Sequence, residues 1–223
     1  MKNAFTMIEL VFVIVIVGIL SFVISSSFER NTLREAADQL VSHIRYTQHL
    51  AMVDDRFFDK KLLNSQNWYK TRWQLIFSRS TTHTNGLPSY TIFSDIAQTN
   101  AGEPNISEMA KNPLNPSKVL SGGYHGTLYT SDNRATETMN LGITYGVTSY
   151  LLSGGCSGAR LSFDYLGRPI RGDQNTMTGA YKASTQRLIV SNCNITLSRE
   201  NNQSITITIE PETGYTYISS QTF

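Results

Sequence analysis

Hydrophobic positions along this chain fall into three regimes. The first is a solid block: from Leu10 to Ile24 the sequence reads LVFVIVIVGILSFVI, broken only by Gly18 and Ser21, and Phe5 to Ile8 extend it at the front. Phe5 to Ile24 is 20 residues, roughly 30 Å of helix at about 1.5 Å per residue, which matches the hydrocarbon thickness of a bilayer. The block predicts a membrane-spanning helix with Lys2 as its cytoplasmic flank.

The second regime is a stripe. Leu33, Ala37, Leu40, Ile44 and Ala51 follow one another at spacings of four, three, four and seven, while Arg34, Glu35, Asp38 and Arg45 point elsewhere. No Pro or Gly occurs from Ser21 through Phe58, so the pattern predicts one helix from Phe5 to about Val53, roughly 75 Å long. Its second half covers a globular head, with Leu40 and Ile44 buried. Met52 and the pair Phe57 and Phe58 are assigned to the core. His43 and His49, six apart, share no helical face and make poor metal ligands.

The third regime alternates. Residues 72–77 and 90–94 read as two strands around a polar turn at Asn85-Gly86-Leu87-Pro88. Residues 96–118, with Pro104, Pro113 and Pro116 among Asn and Ser, read as a long surface loop. Short strands are expected at 126–130, 141–152, 159–165 and 187–190. A final meander runs through 194–198, 204–210 and 215–218, turning at Glu200-Asn201-Asn202-Gln203 and at Pro211 to Gly214. A long N-terminal helix, its first half spanning a membrane, packed on an antiparallel β-sheet head is an α+β fold, the helix covering one sheet face.

Composition narrows the function. With 40% apolar and 16% charged residues among 223, the chain is neither disordered nor collagen-like. Nineteen Lys and Arg against seventeen Asp and Glu are too balanced for a protein that coats nucleic acid, so any anion site must be local. One local concentration exists: Arg160, Arg168, Arg171, Lys182 and Arg187 lie within 28 residues whose acids are Asp164 and Asp173. Gly167-Arg168-Pro169-Ile170-Arg171-Gly172 sets two guanidinium groups on a turn, where they either hold DNA phosphates or stay as a solvated turn. Two cysteines, Cys156 and Cys193, build neither a disulfide scaffold nor a structural zinc site. Gly154-Gly155-Cys156-Ser157-Gly158 is not G-x-S-x-G, and Cys156 has no evident partner, since His83 and His125 lie in loops. No phosphate-binding loop occurs. The expectation is a non-enzyme without catalytic residues, cofactor, metal or small-molecule substrate. Asn202-Gln203-Ser204 is a glycosylation acceptor in an exposed turn, or simply a turn.

The informative residue of the first regime is Glu9. An acid at mid-helix in a membrane costs about 2.5 to 3.5 kcal/mol on insertion scales, and neither a plain signal peptide nor a simple uncleaved anchor explains one.

Ala4-Phe5-Thr6-Met7-Ile8-Glu9-Leu10, followed by an apolar helix with Gly18, resembles the class III leader and N-terminal helix of type IV pilins and type II secretion pseudopilins. The resemblance implies cleavage by a prepilin peptidase between Ala4 and Phe5, methylation of the new amine, and Glu9 as the assembly acid, fifth in the mature chain. In the family the residue before the cut is usually Gly; here it is Ala4. The amine freed at Phe5 of a neighbouring subunit is the charge placed at similar depth to Glu9, so Phe5 and Glu9 form the expected assembly pair; snorkelling of Glu9 to the interface is the other reading. Leu161-Ser162-Phe163-Asp164-Tyr165-Leu166-Gly167, a strand pair and Pro211-Glu212-Thr213-Gly214 are similar to the GspH/FimT type of minor pseudopilin.

The organisation this implies is a leader at 1–4, a transmembrane and assembly helix at 5–24, an amphipathic half at 25–56 and a β-rich periplasmic head at 57–223. The implied function is a minor pilin or pseudopilin, single-pass in the inner membrane, its head in the periplasm or in an extracytoplasmic filament. Its partners are other pilin or pseudopilin subunits, the prepilin peptidase, the inner-membrane assembly platform and the membrane. The alternatives are a DNA-binding minor pilin for DNA uptake and a membrane-anchored head that does not assemble. In an oxidising compartment two lone thiols form one bridge, Cys156 to Cys193, contributing about 3 to 4 kcal/mol, or else remain as two buried apolar thiols.

Overall fold

The computed structural model describes residues 6–27, 31–54, 67–96, 102–182 and 186–222 and, of these, all side chains but those of 22–27. The chain divides into two units, Met1–Asn31 and Thr32–Phe223. The first holds helix α1, Met7–Ser27. Among the described residues no helix is long and apolar enough to cross a membrane. The second unit opens with helix α2, Thr32–Val53. One continuous helix was expected, yet Asn31 is not helical. Asn31 and Thr32 stand at the start of α2, and short polar side chains of these types compete for backbone hydrogen bonds and favour helix ends.

Among the described residues ten strands follow α2: β1 (Trp73–Ser78), β2 (Ser89–Ser94), β3 (Lys111–Asn112), β4 (Asn115–Val119), β5 (Ser149–Gly154), β6 (Arg160–Phe163), β7 (Pro169–Arg171), β8 (Cys193–Ser198), β9 (Ser204–Ile209) and β10 (Thr216–Thr222). A short helix α3, Leu141–Tyr145, precedes β5. The strands form one sheet in the order β2-β1-β6-β7, a second in the order β10-β9-β8-β5 and the small pair β3-β4, all antiparallel. The head is therefore α+β, with two main sheets where one was expected. The predicted C-terminal meander is β8-β9-β10; β5 adds to it from earlier in the chain.

α2 explains how two sheets share one core. Leu33, Ala36, Ala37, Leu40, Val41, Ile44, Thr47 and Ala51 are buried along one face, the 3.6-residue period of an amphipathic helix. That face meets β1 and β6 of the first sheet and β9 and β10 of the second. Cys193, Ile195 and Leu197 on β8 and Ile205, Ile207 and Ile209 on β9 alternate inward and join it. β1 and β2 are buried on both faces, and their residues sort by parity. Leu75, Phe77, Tyr90 and Ile92 enter the core under α2. Ile76 and Phe93 enter a second, smaller core with Met109, Val119, Tyr124, Leu128 and Ala135.

That second core corrects several expectations. Residues 96–118 are not wholly a surface loop: Met109 and Ala110 are buried and β3-β4 is a hairpin. Pro116 sits on this exposed pair, where a missing donor costs little. The 126–130 strand is absent, its Leu128 making an isolated bridge to Tyr124. Of 141–152, the first part is α3, because the Asn140 side chain accepts from Ile143 N (3.0 Å) and Gly146 at φ 71° ends the turn. Residues 187–190 touch β7 only through the Leu188–Ile170 bridge. Met52 is 52% exposed and not in the core; Phe57 and Phe58 lie outside the described residues.

Two internal links complete the head. Cys156 and Cys193 form the disulfide, 37 residues apart, with Cα atoms 4.9 Å from each other. Gly155 makes room for it, since a Cβ there would collide with Ser191 O. The other link is polar. Buried Tyr90 accepts at Oη from Gln39 Nε2 (2.8 Å) and bonds His43 Nδ1 (2.7 Å), while Tyr145 Oη donates to Gln39 Oε1 (2.8 Å). The one phenolic proton goes to His43, whose ring is held neutral: burial pushes it from 6.5 to about 4.

Two outcomes follow from these links. Replacing both cysteines by Ala should lower the urea-unfolding free energy by about 3 to 4 kcal/mol; an unchanged midpoint would show that the bridge constrains nothing. A folded-state value below the unfolded one makes the His43 contribution fully present above pH 6.5 and lost as pH falls toward 4. His43→Gln should shrink the stability difference between pH 7 and pH 4 by about 3 kcal/mol, measured by urea unfolding at both pH values.

Candidate functional site

Every described side chain of α1 from Thr6 to Ser21 is exposed. Large apolar side chains from Met7 to Leu20 surround the helix, which therefore has no polar face to turn to water. Ala4 and Phe5 lie outside the described residues, so the processing pair and the amine partner of Glu9 do too. Glu9 itself is placed. Its Oε2 accepts from Thr6 N (2.9 Å) and Thr6 Oγ1 (2.8 Å), and Glu9 N donates back to Thr6 Oγ1 (3.4 Å). This is a capping box closing the first turn of α1. The signal, a Thr followed three residues later by Glu ahead of an apolar run, stands in the sequence, where the acid was read for its charge alone.

In the head, the two segments that carried the second resemblance come together. Phe163 to Gly167 forms the turn between β6 and β7, and Pro211 to Gly214 the turn between β9 and β10. Gln48 of α2 donates through Nε2 to Gly167 O (2.8 Å) and Thr213 O (2.8 Å), tying a turn of each sheet to the helix. Both glycines are needed. Gly167 and Gly214 have φ of 81° and 66°, and a Cβ on Gly214 would fall 2.6 Å from Gly167 O. Gln48 was not singled out in the sequence, since a partly exposed Gln on a helix carries no signal of its own.

Arg168 and Arg171 lie on the same turn and on β7, as expected, but their donors face protein acceptors. Asp164, its side chain fully buried, accepts at Oδ1 from Leu166 N (3.0 Å) and Arg168 N (2.8 Å) and at Oδ2 from Arg168 Nε (2.8 Å). Tyr181 Oη donates to Asp164 Oδ2 and accepts from Arg168 Nη2, both at 3.1 Å. Arg171 donates to the backbone oxygens of Gln186 (3.0 Å) and Gly155 (3.5 Å). Arg160 is buried against Asp173 (3.3 Å), Gly102 O and Glu103. The two acids of this segment are thus each paired with one of its arginines.

Behind Tyr181 lies Arg72, 4% exposed. Its guanidinium is stacked between the rings of Trp68 (5.2 Å) and Tyr181 (5.0 Å) and donates to Ala180 O (2.8 Å). Burial pushes it below its ordinary value, against the opposing pull of Tyr181 and Asp164. An Asp opening a Gly turn is the one signal that could have revealed the clasp; Tyr181, Trp68 and Arg72 are distant in sequence and carried none.

The disulfide leaves Cys156 without a thiol to act as nucleophile. Asn202, in the turn before β9, is exposed with φ 60°. Compared with known proteins, the chain matches no family model, no curated protein and no solved structure.

Asp164→Ala should cost about 3 kcal/mol in urea unfolding, since it strips four donors of their acceptor. Arg168→Glu, which sets a second carboxylate beside the buried one, should destabilise the head similarly, whereas Arg171→Glu should cost under about 1 kcal/mol. Equal stability of all three variants would show that the clasp does not hold the turn.

Proposed function

We propose that this chain is a minor pilin or pseudopilin of a type IV pilus or type II secretion filament. In this reading α1 holds it in the inner membrane, a prepilin peptidase cuts between Ala4 and Phe5, the new amine is methylated, and the assembly platform passes the subunit into the filament. The observation that supports it most is the contrast between the helices: α1 is bare of cover around its circumference while α2 has its apolar face filled by the two sheets. A helix with no polar face needs lipid before assembly and other apolar helices after it.

The capping box gives Glu9 a second role in the same scheme. A carboxylate alone in lipid is costly, and Thr6 supplies two donors to Oε2. An ionised carboxylate has about four acceptor positions, so the amine of a neighbouring Phe5 can be added without breaking the cap. DNA uptake draws less support, because Arg168 and Arg171 already donate within the head.

Glu9→Ala should leave membrane insertion intact and abolish incorporation into sheared filaments, scored by immunoblot. Glu9→Gln, which keeps a cap acceptor and loses the charge, should fail equally. The mature protein should begin at Phe5 by mass spectrometry. Normal incorporation of either variant, or a mature chain that still begins at Met1, would overturn the reading.

A further inference from the structure

The two histidines that the sequence left in separate loops meet in the head. His83 lies in the connection between β1 and β2, and His125 in the tight turn closed by Tyr124 N to Leu128 O (2.8 Å). The Nδ1 atoms of both rings lie 3.4 Å from one atom, Ser80 Oγ. A hydroxyl has a single proton, and Ser80 Oγ also accepts from the backbone N of His83 (3.2 Å). Both ring contacts lie beyond the roughly 2.7 to 3.2 Å of ordinary bonds between nitrogen and oxygen, so Ser80 satisfies neither imidazole well. Two nitrogens that can each offer a lone pair converge on a point that one hydroxyl fills poorly.

We propose that His83 Nδ1 and His125 Nδ1 form a binding site for a divalent transition-metal ion of the zinc class, with Ser80 Oγ and water completing its coordination. The ring geometry fits. A metal about 2.0 to 2.1 Å from each of two imidazole nitrogens at a tetrahedral angle sets the ring centroids about 5 Å apart. Here they are 5.5 Å apart with planes at 75°.

The rings are also held in place before any ion arrives. His83 stacks on Tyr129 (4.4 Å, 22°), and its carbonyl accepts from Thr130 N (2.9 Å). Gly123 at φ 113° allows that approach, since a Cβ there would fall 2.8 Å from His83 O. Tyr124 and Leu128, the ends of the His125 turn, are anchored in the second core. Ser80 is fixed by its own N, which donates to Thr84 Oγ1 (2.8 Å). Imidazole donors select zinc, copper or nickel over magnesium or calcium. Among the described residues no group of three or more His, Cys, Asp or Glu gathers, so two nitrogens carry the site and it binds more weakly than a four-ligand structural site. A serine nucleophile would instead need one oriented base; a hydroxyl shared between two rings suits a cation better. Bound metal would clamp the β1–β2 connection to the 124–128 turn.

The test is calorimetric titration of zinc chloride into the detergent-solubilised, chelator-treated full chain. One saturable ion per chain is expected. His83→Ala and His125→Ala should each weaken it by about tenfold or more, while His49→Ala, on the exposed side of α2, should change nothing. Absence of saturable uptake, or uptake that survives both substitutions, overturns the site. A measurement on the unaltered chain guards against misfolded variants: zinc should protect His83 and His125, and not His49, from diethylpyrocarbonate as read by peptide mass spectrometry. Unchanged modification of both would equally overturn it.

Discussion

The buried stripe of α2 is a surface on which both main sheets of the head close. Its residues mix small and large, Ala36, Ala37 and Ala51 among Leu33, Leu40 and Ile44, and strands from two sheets approach the same face. Interiors packed to crystal-like density leave little slack for such sharing. Polar contacts of α2 reinforce it at four heights: Thr32 Oγ1 donates to Tyr145 O, His43 and Gln39 hold Tyr90, Arg45 donates to Thr216 O, and Gln48 ties two turns. Each joins α2 to a different part of the head. Losing the stripe would leave both sheets with an uncovered apolar face, not one sheet with a defect.

How much of this was legible in sequence depended on whether the signal was local. Leu33, Ala37, Leu40, Ile44 and Ala51 announced the buried face of α2 by spacing alone, and β8, β9 and β10 announced themselves by alternation. The division into two sheets was not legible. It rests on β1 pairing with β6 and β5 with β8, partners separated by dozens of residues and chosen by tertiary fit, which alternation cannot express. The small core under 102–139 was missed for a related reason: proline and asparagine dominate the local pattern, while the apolar residues that matter, Met109, Val119 and Leu128, are isolated ones. For the candidate sites the same rule held. Glu9 and the arginines were found because charge in an unusual place is visible, but what they touch depended on Thr6 nearby and on Tyr181 far away.

The two helices put one physical rule to opposite uses. α2 is half apolar and finds its cover within its own chain; α1 carries exposed apolar side chains all round its described length, with Glu9 at its start, and finds no cover in its own unit. The unsatisfied surface of α1 is what a membrane and a bundle of like helices can satisfy.

The wide sequence gap across the disulfide has a consequence for the order in which the head can be built. Cys193 begins β8, and β5 has no neighbour in its sheet until β8 arrives beside it. β9 and β10, which cover part of α2, come later still. During synthesis, then, the α2 stripe stays partly naked until β9 and β10 are made, and the bond between Cys156 and Cys193 becomes possible earlier, once Cys193 itself is in place. Formation of this bond thus serves as a clock mark: a bridged molecule is one whose chain has been made at least as far as Cys193, and a chain stalled short of Cys193 would leave the apolar ridge of α2 partly uncovered.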